Sequence, residues 1–233
     1  MIKQLIPFLS LVLYLNAQTN HSLSFNGNDD HVDFGSSSIY NLGLDDFSLT
    51  VFIKPSTDNQ NARVICKGIT ANEGSVQLNI DLNGKLRLSF NNLDFYSLEN
   101  VIQSNQWQQI GMTRSGNSIK GFVNGIEVIN EITPVLDLTN NEPLVFGVEP
   151  GFGSNFNGLI DDVNIWSVAL TVSQMQSYMS NSLNGDEDGL LASWNFNEGE
   201  SSNLYDLTGD LIGNIYGATW STDVPLLGCI DFM

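Results

Sequence analysis

The sequence predicts an all-β protein of two stacked antiparallel sheets with one short surface helix. From Ser22 onward, short segments of alternating apolar and polar residues are separated by Asn, Gly, Asp and Ser, the pattern of half-buried strands joined by turns. Two of the separators are Asn83-Gly84 and Asn124-Gly125. A type I′ hairpin needs positive φ at both central residues, and Asn-Gly meets that requirement at little cost. About a dozen short strands fit two layers better than a small barrel.

Taken in order, residues 1–17 carry Lys3 as their only charge, an apolar run from Leu5 to Leu15, and Ala17 where a peptidase could cut. That is the three-part pattern of a secretory signal. The run is too short to span a membrane. Phe47, Leu49, Val51 and Ile53 then alternate with Ser48, Thr50, Phe52 and Lys54, and Val76, Leu78 and Ile80 with Gln77, Asn79 and Asp81. Asn83-Gly84 joins the second segment to Lys85–Phe90, Ser115-Gly116-Asn117 joins the Trp107–Arg114 segment to Ser118–Val123, and Asn124-Gly125 leads into Ile126–Ile129. Three tight hairpins in one region read as a continuous meander.

In Gly158–Leu170 the apolar phase changes. Ile160 is on even parity, Val163 and Ile165 on odd, with Asp161 and Asp162 at the break. That predicts a β-bulge at the acidic pair, where two carboxylates and freed carbonyls could meet a hard cation. Thr171-Val-Ser-Gln174 matches a capping box, and Val172, Met175 and Met179 follow on one helical face. A loop at Asn184–Gly189, a strand at Leu190–Phe196 and a loop and final strand from Asp206 to Trp220 complete the domain, expected over residues 20–222. Residues 223–233 lack periodicity and read as a tail or linker.

The net charge of −18 argues against a nucleic-acid partner, because duplex binding draws on clustered Lys and Arg. Cys66 and Cys229 are the only cysteines, too few for a disulfide scaffold. An oxidising compartment would allow them to pair, and sequence does not settle the reach.

Ser22–Gly35, the Phe47–Lys54 strand, Trp107, Val123-Asn-Gly125, Gly158–Leu170, Trp194-Asn-Phe-Asn-Glu-Gly199 and Gly217-Ala-Thr-Trp220 form an ordered set. It resembles the laminin-G-like, concanavalin A-like jelly-roll domains of secreted bacterial proteins. The resemblance implies a jelly roll used for carbohydrate binding, adhesion or spacing between modules, located outside the cell or on its surface, with a glycan or an extracellular protein as partner. It also implies a structural calcium between the first-strand Phe-Asp-Gly motif and the Ile-Asp-Asp-Val strand. Asn26 stands where that motif usually has Asp, Asp29 or Asp30 is placed nearby to compensate, and Asp161 and Asp162 match the second half. The tail Gly228-Cys-Ile-Asp231 resembles the start of a Cys-containing repeat that follows such domains.

Glucanases of this architecture carry a Glu-x-Asp-x-x-Glu series on one strand, supplying the paired carboxylates that glycoside hydrolysis requires. The chain lacks that series, and His21 and His31 accompany no nucleophile motif. The expectation is therefore a non-catalytic binding or adhesion module, with a structural spacer as the alternative and a hydrolase or lyase third. Phe152 and Phe156 in the Glu149–Asn157 loop are the sugar-stacking candidates, with Phe95 and Tyr96 as a second pair. In each case the competing role is a hydrophobic plug at the end of the sandwich. The four tryptophans read as core residues.

Overall fold

The computed structural model describes residues 20–69, 72–149, 151, 153–209 and 211–227. Its strands form two antiparallel eight-stranded sheets. The first contains β1 (Ser22–Asn26), β3 (Phe47–Pro55), β8 (Gln108–Ser115), β9 (Ser118–Val123), β10 (Ile126–Ile132), β12 (Asn157–Trp166), β13 (Leu190–Trp194) and β16 (Thr219–Ser221). Their order is β10-β9-β8-β3-β12-β1-β16, with β13 also on β12. The second contains β2 (His31–Asp33), β4 (Ala62–Lys67), β5 (Val76–Asp81), β6 (Lys85–Phe90), β7 (Leu93–Tyr96), β11 (Leu144–Phe146), β14 (Asn203–Tyr205) and β15 (Ile212–Tyr216). Their order is β14-β15-β2-β11-β4-β5-β6-β7.

The Asn-Gly turns behave as their chemistry requires. Asn83 and Gly84 have φ of 62° and 63°, and Asn124 and Gly125 have 49° and 70°. The expected meander is nevertheless split. Strands β5, β6 and β7 lie in one sheet and β8, β9 and β10 in the other. A turn dipeptide specifies how two neighbouring strands pair, but not which layer the next hairpin joins.

Alternation sets the core. Leu23 and Phe25 of β1, Phe47, Leu49, Val51 and Ile53 of β3, and Leu86, Leu88 and Phe90 of β6 all point between the sheets. At the centre, Phe34 lies 4.6 Å from Trp194 and 4.7 Å from Phe146, ring centre to ring centre. Aromatic side chains of this size supply much of the buried apolar area that holds two such layers together.

The helix α1 (Val172–Ser180) carries the expected capping box on Thr171 and Gln174. Met175 and Met179 are buried, while Val172 is exposed. The helix packs on Phe122, Trp166 and Leu170 outside the main core, and Tyr178 stacks on Trp166 at 4.6 Å.

The predicted bulge is present. The β12–β3 register shifts between Asp161 and Asn164, and Asp162 adopts φ 47°. The first half of β12 pairs with β1 through residues 157–160, and the second half pairs with β13 from Val163 onward. The bulge therefore falls where β12 exchanges one neighbour for the next, where a break in the ladder disturbs fewest paired groups.

Candidate functional site

A recess of about 820 Å³ opens where β8 begins and β9 turns into β10. Trp107 lines it, immediately before β8, and is partly exposed. Aliphatic residues Val101, Val123, Ile126, Val128, Val224 and Leu226 supply the apolar lining, and Asn100, Gln103, Gln106, Gln108 and Asn124 the amides.

Local hydrogen bonds shape the groove. The Gln108 side chain accepts from the Gln103 N–H at 2.7 Å and donates to the Val101 carbonyl at 3.2 Å, which fastens the β7–β8 loop to the strand. Asn124, in the tight turn, accepts from the Gln109 N–H at 2.9 Å. The far wall is the segment after β16. Asp223 Oδ1 accepts from the Trp107 indole N–H at 2.8 Å, its Oδ2 accepts from Lys54 Nζ at 2.5 Å, and its carbonyl accepts from the Ser22 hydroxyl at 2.7 Å. Partial burial pushes the Asp223 carboxyl upward, but the Lys54 and Trp107 bonds outweigh it and hold the group below its ordinary range. With its N–H satisfied, Trp107 has the π-face left for contact. A flat aromatic on an aliphatic floor, surrounded by neutral donors and acceptors, suits a ligand with apolar faces and hydroxyl edges.

The acidic pair forms a different environment. Asp161 is fully buried, and its Oδ1 accepts from the Asp162 N–H at 2.8 Å. Its Oδ2 has no hydrogen-bond partner among the described residues. Burial, then the charge of Asp162, then that of Glu198 drive the Asp161 carboxyl well above the ordinary range. Burial pushes Asp162 up to about 7 and raises Glu198 as well. The recess bordering Asp162 measures about 40 Å³, water-sized and far too small for a sugar ring.

Residues 26–176 match the family model of the concanavalin A-like lectin/glucanases superfamily. The chain belongs to that superfamily. Among proteins of curated function, no sequence matches it. In structure it is similar to a protein of Bacteroides ovatus for which carbohydrate binding is a provisional assignment. The TM-score is 0.72 at 18% identity, over 87% of this chain and 60% of that one. It is also similar to the heptameric SAP-like pentraxin of Limulus polyphemus, with a TM-score of 0.58 at 17% identity over 84% and 96% of the two chains. A third likeness is to CBM40 of the Ruminococcus gnavus IT-sialidase bound to α2,3-sialyllactose, with a TM-score of 0.54 at 10% identity over 67% and 95%. The chain thus spans 60% of the length of the Bacteroides protein.

In this member of the superfamily the four expected calcium ligands do not assemble into one site. Asn26 faces Asn157 and Leu23 faces Ile160 across the β1–β12 pairing, so Asn26 and the acidic pair lie at opposite ends of β1, about 13 Å apart by strand rise. Both carboxylate oxygens of Asp30 are engaged. Oδ2 accepts from the Asn26 N–H at 2.8 Å, and Oδ1 accepts from Asn26 Nδ2 at 2.9 Å. Asn26 and Asp30 thus staple the turn between β1 and β2. Among the described residues no three His, Cys, Asp or Glu side chains are grouped to hold a metal ion.

Of the stacking candidates, Phe156 takes the alternative role of a plug. Phe156 is fully buried and packs edge-on against Phe25 at 6.1 Å, so it closes the sandwich end and presents no face outward. Phe152 lies outside the described residues, as do Cys229 and residues 1–19. Phe95 packs against Phe90, while Tyr96 is exposed. Of the tryptophans, Trp166 and Trp194 are core residues, but Trp107 and Trp220 are partly exposed. Sequence reasoning therefore missed Trp107. The signal available was the run of amides around it, from Asn100 through Gln103, Asn105 and Gln106 to Gln108, which is unusual company for a core residue.

Proposed function

We propose that this domain is a non-catalytic carbohydrate-binding module that works outside the cell, with the Trp107 groove as its glycan site. The observation that carries this reading is the groove itself: a partly exposed indole pinned edge-on by Asp223, over an aliphatic floor and among five amides. Such a surface supplies stacking for the apolar face of a pyranose and hydrogen bonds for its hydroxyls. The family and the carbohydrate-related structural neighbours support the same reading.

A binding role fits the carboxylates better than hydrolysis does. Glycoside hydrolysis needs two carboxyls facing a sugar across a cleft. The pair with strongly raised pKa values, Asp161 and Asp162, adjoins a space of about 40 Å³. Among the described residues no helix is long and apolar enough to cross a membrane. The apolar run before Ala17 supports export.

The test is a panel of plant, algal, microbial and host glycans probed with the whole chain and with Trp107→Ala. Binding to one glycan class, weakened about tenfold or more in the variant, is the expected result. Equal binding by the variant would remove the groove from the reading, and binding to no glycan would leave the spacer role in its place.

A further inference from the structure

The register of the second sheet gathers a set of exposed side chains on one outward face, away from the groove. Tyr205 pairs with Ile212, Asn203 and Asp33 flank Asn214, and His31 pairs with Tyr216. Side chains directly opposite each other, and those two apart on one strand, share a face. Their neighbours Val32 and Leu204 point into the core. The face therefore carries Tyr205, Ile212 and Tyr216, which are 47%, 47% and 50% exposed, together with His31 and two amides.

This face is ordered. His31 and Tyr216 stack at 4.8 Å with an interplanar angle of 17°, and the His31 ring is fixed by a 2.7 Å bond from Nδ1 to the Asp29 carbonyl. Asn203 Nδ2 donates to Asn214 Oδ1 at 3.2 Å. A recess of about 390 Å³ adjoins His31 and Asp33. Tyr216 lies four residues along β15 from Ile212, the partner of Tyr205, which separates the two tyrosines by about 14 Å. That span covers several linked sugar rings, far more than one.

We propose that the outward face of β14, β15 and β2 is a second ligand surface that binds a neutral oligosaccharide laid along the strands from Tyr205 to Tyr216. The charges select the ligand class. Asp29 and Asp33 border the face and its recess, and the nearby Arg63 is paired with Glu149 at 2.8 Å. A uronic or sialic acid chain would meet carboxylates on a protein of net charge −18, whereas the hydroxyls of a neutral chain can donate to them. The tyrosine rings supply stacking planes, and the spacing makes affinity depend on chain length.

This inference uses the carbohydrate-binding reading but rests on a separate set of residues, so the two fail separately. The experiment is calorimetric titration of the whole chain with neutral gluco-, xylo- and manno-oligosaccharides of increasing length, and with oligogalacturonate as the acidic counterpart. It is repeated with Tyr216→Ala, Tyr205→Ala and Trp107→Ala, and melting curves confirm the fold of each variant. The expected result is binding that strengthens with length and has two components, one lost in Trp107→Ala and the other weakened about tenfold in either tyrosine variant. Tyrosine variants that bind like the parent would overturn the second surface and leave the groove intact. Oligogalacturonate bound as tightly as neutral chains would overturn the ligand class. A response to the tyrosine variants with none to Trp107→Ala would retain this surface and remove the groove.

Discussion

The indole N–H of Trp107 and the carboxylate of Asp223 meet at 2.8 Å, although 116 positions separate them in the chain. The contact fixes an aromatic plate at the start of β8 and folds the segment after β16 into the groove wall. Replacing Trp107 by Phe keeps a ring and removes the donor, whereas Ala removes both. We expect Trp107→Phe to cost about 1 kcal/mol of stability, since the pair is partly solvated, and to keep glycan affinity within about threefold. Trp107→Ala loses about tenfold or more. Parallel denaturation and titration of the two variants separate the staple from the plate. The Asp223 contribution is present above the unfolded carboxyl pKa of about 3.9 and is lost as pH falls through the lower folded value, so the staple holds at pH 5.

Asp162 gives the opposite pH dependence. Its folded pKa is raised to about 7 from about 3.9 unfolded, so the folded protein holds the extra proton between those values. Stability from this group is therefore full below about pH 4 and declines as pH rises towards 7. Asp162→Asn removes the charge at a φ of 47°, a conformation that Asn tolerates well. We expect the variant to be more stable than the parent by on the order of 2 kcal/mol at pH 8, with the gain vanishing near pH 4. Urea denaturation across that range is the measurement, and a pH-independent difference would contradict the assignment.

Asn26→Asp restores the residue that resembling domains carry at this turn, yet here it should destabilise. Asn26 Nδ2 donates to Asp30 at 2.9 Å, and an aspartate would set a second carboxylate against the first. The expected cost is about 1–2 kcal/mol at neutral pH, shrinking as acid protonates one of the pair. Thermal melts at pH 7 and pH 4 would show it.

Phe156→Ala tests whether the loop aromatic is a plug. A fully buried phenylalanine removed from a packed end costs about 3–5 kcal/mol. The expected signature is a large fall in melting temperature with unchanged glycan affinity in the folded fraction. Lost affinity at unchanged stability would return Phe156 to the ligand surface.

Much of the architecture was legible in the chain. Alternation placed β3, β5 and β6, and Asn-Gly chemistry placed two hairpins, because positive φ at both turn positions is a local demand that few dipeptides meet. The parity break at Asp161-Asp162 predicted a bulge for the same kind of reason, as did the Thr171–Gln174 box for the helix start. The short strands β14 and β15 were not resolved individually, since three to five residues with mixed polarity carry little periodic signal.

The sites were less legible. Phe156, offered as a stacking candidate or a plug, is fully buried, and Trp107, read as a core residue, is partly exposed, because an aromatic next to polar residues reads the same way whether its ring faces inward or outward. Sequence by itself determined what is local and periodic: the all-β class, the tight turns, the bulge, the helix cap and most of the core. Tertiary structure alone decided which layer each hairpin joined, that Asn26 and Asp30 bond to each other about 13 Å from the acidic pair, and that Asp223 reaches Trp107. The physical reason is that φ preferences and side-chain parity act over a few residues, whereas a binding surface is made by contacts between segments far apart in the chain.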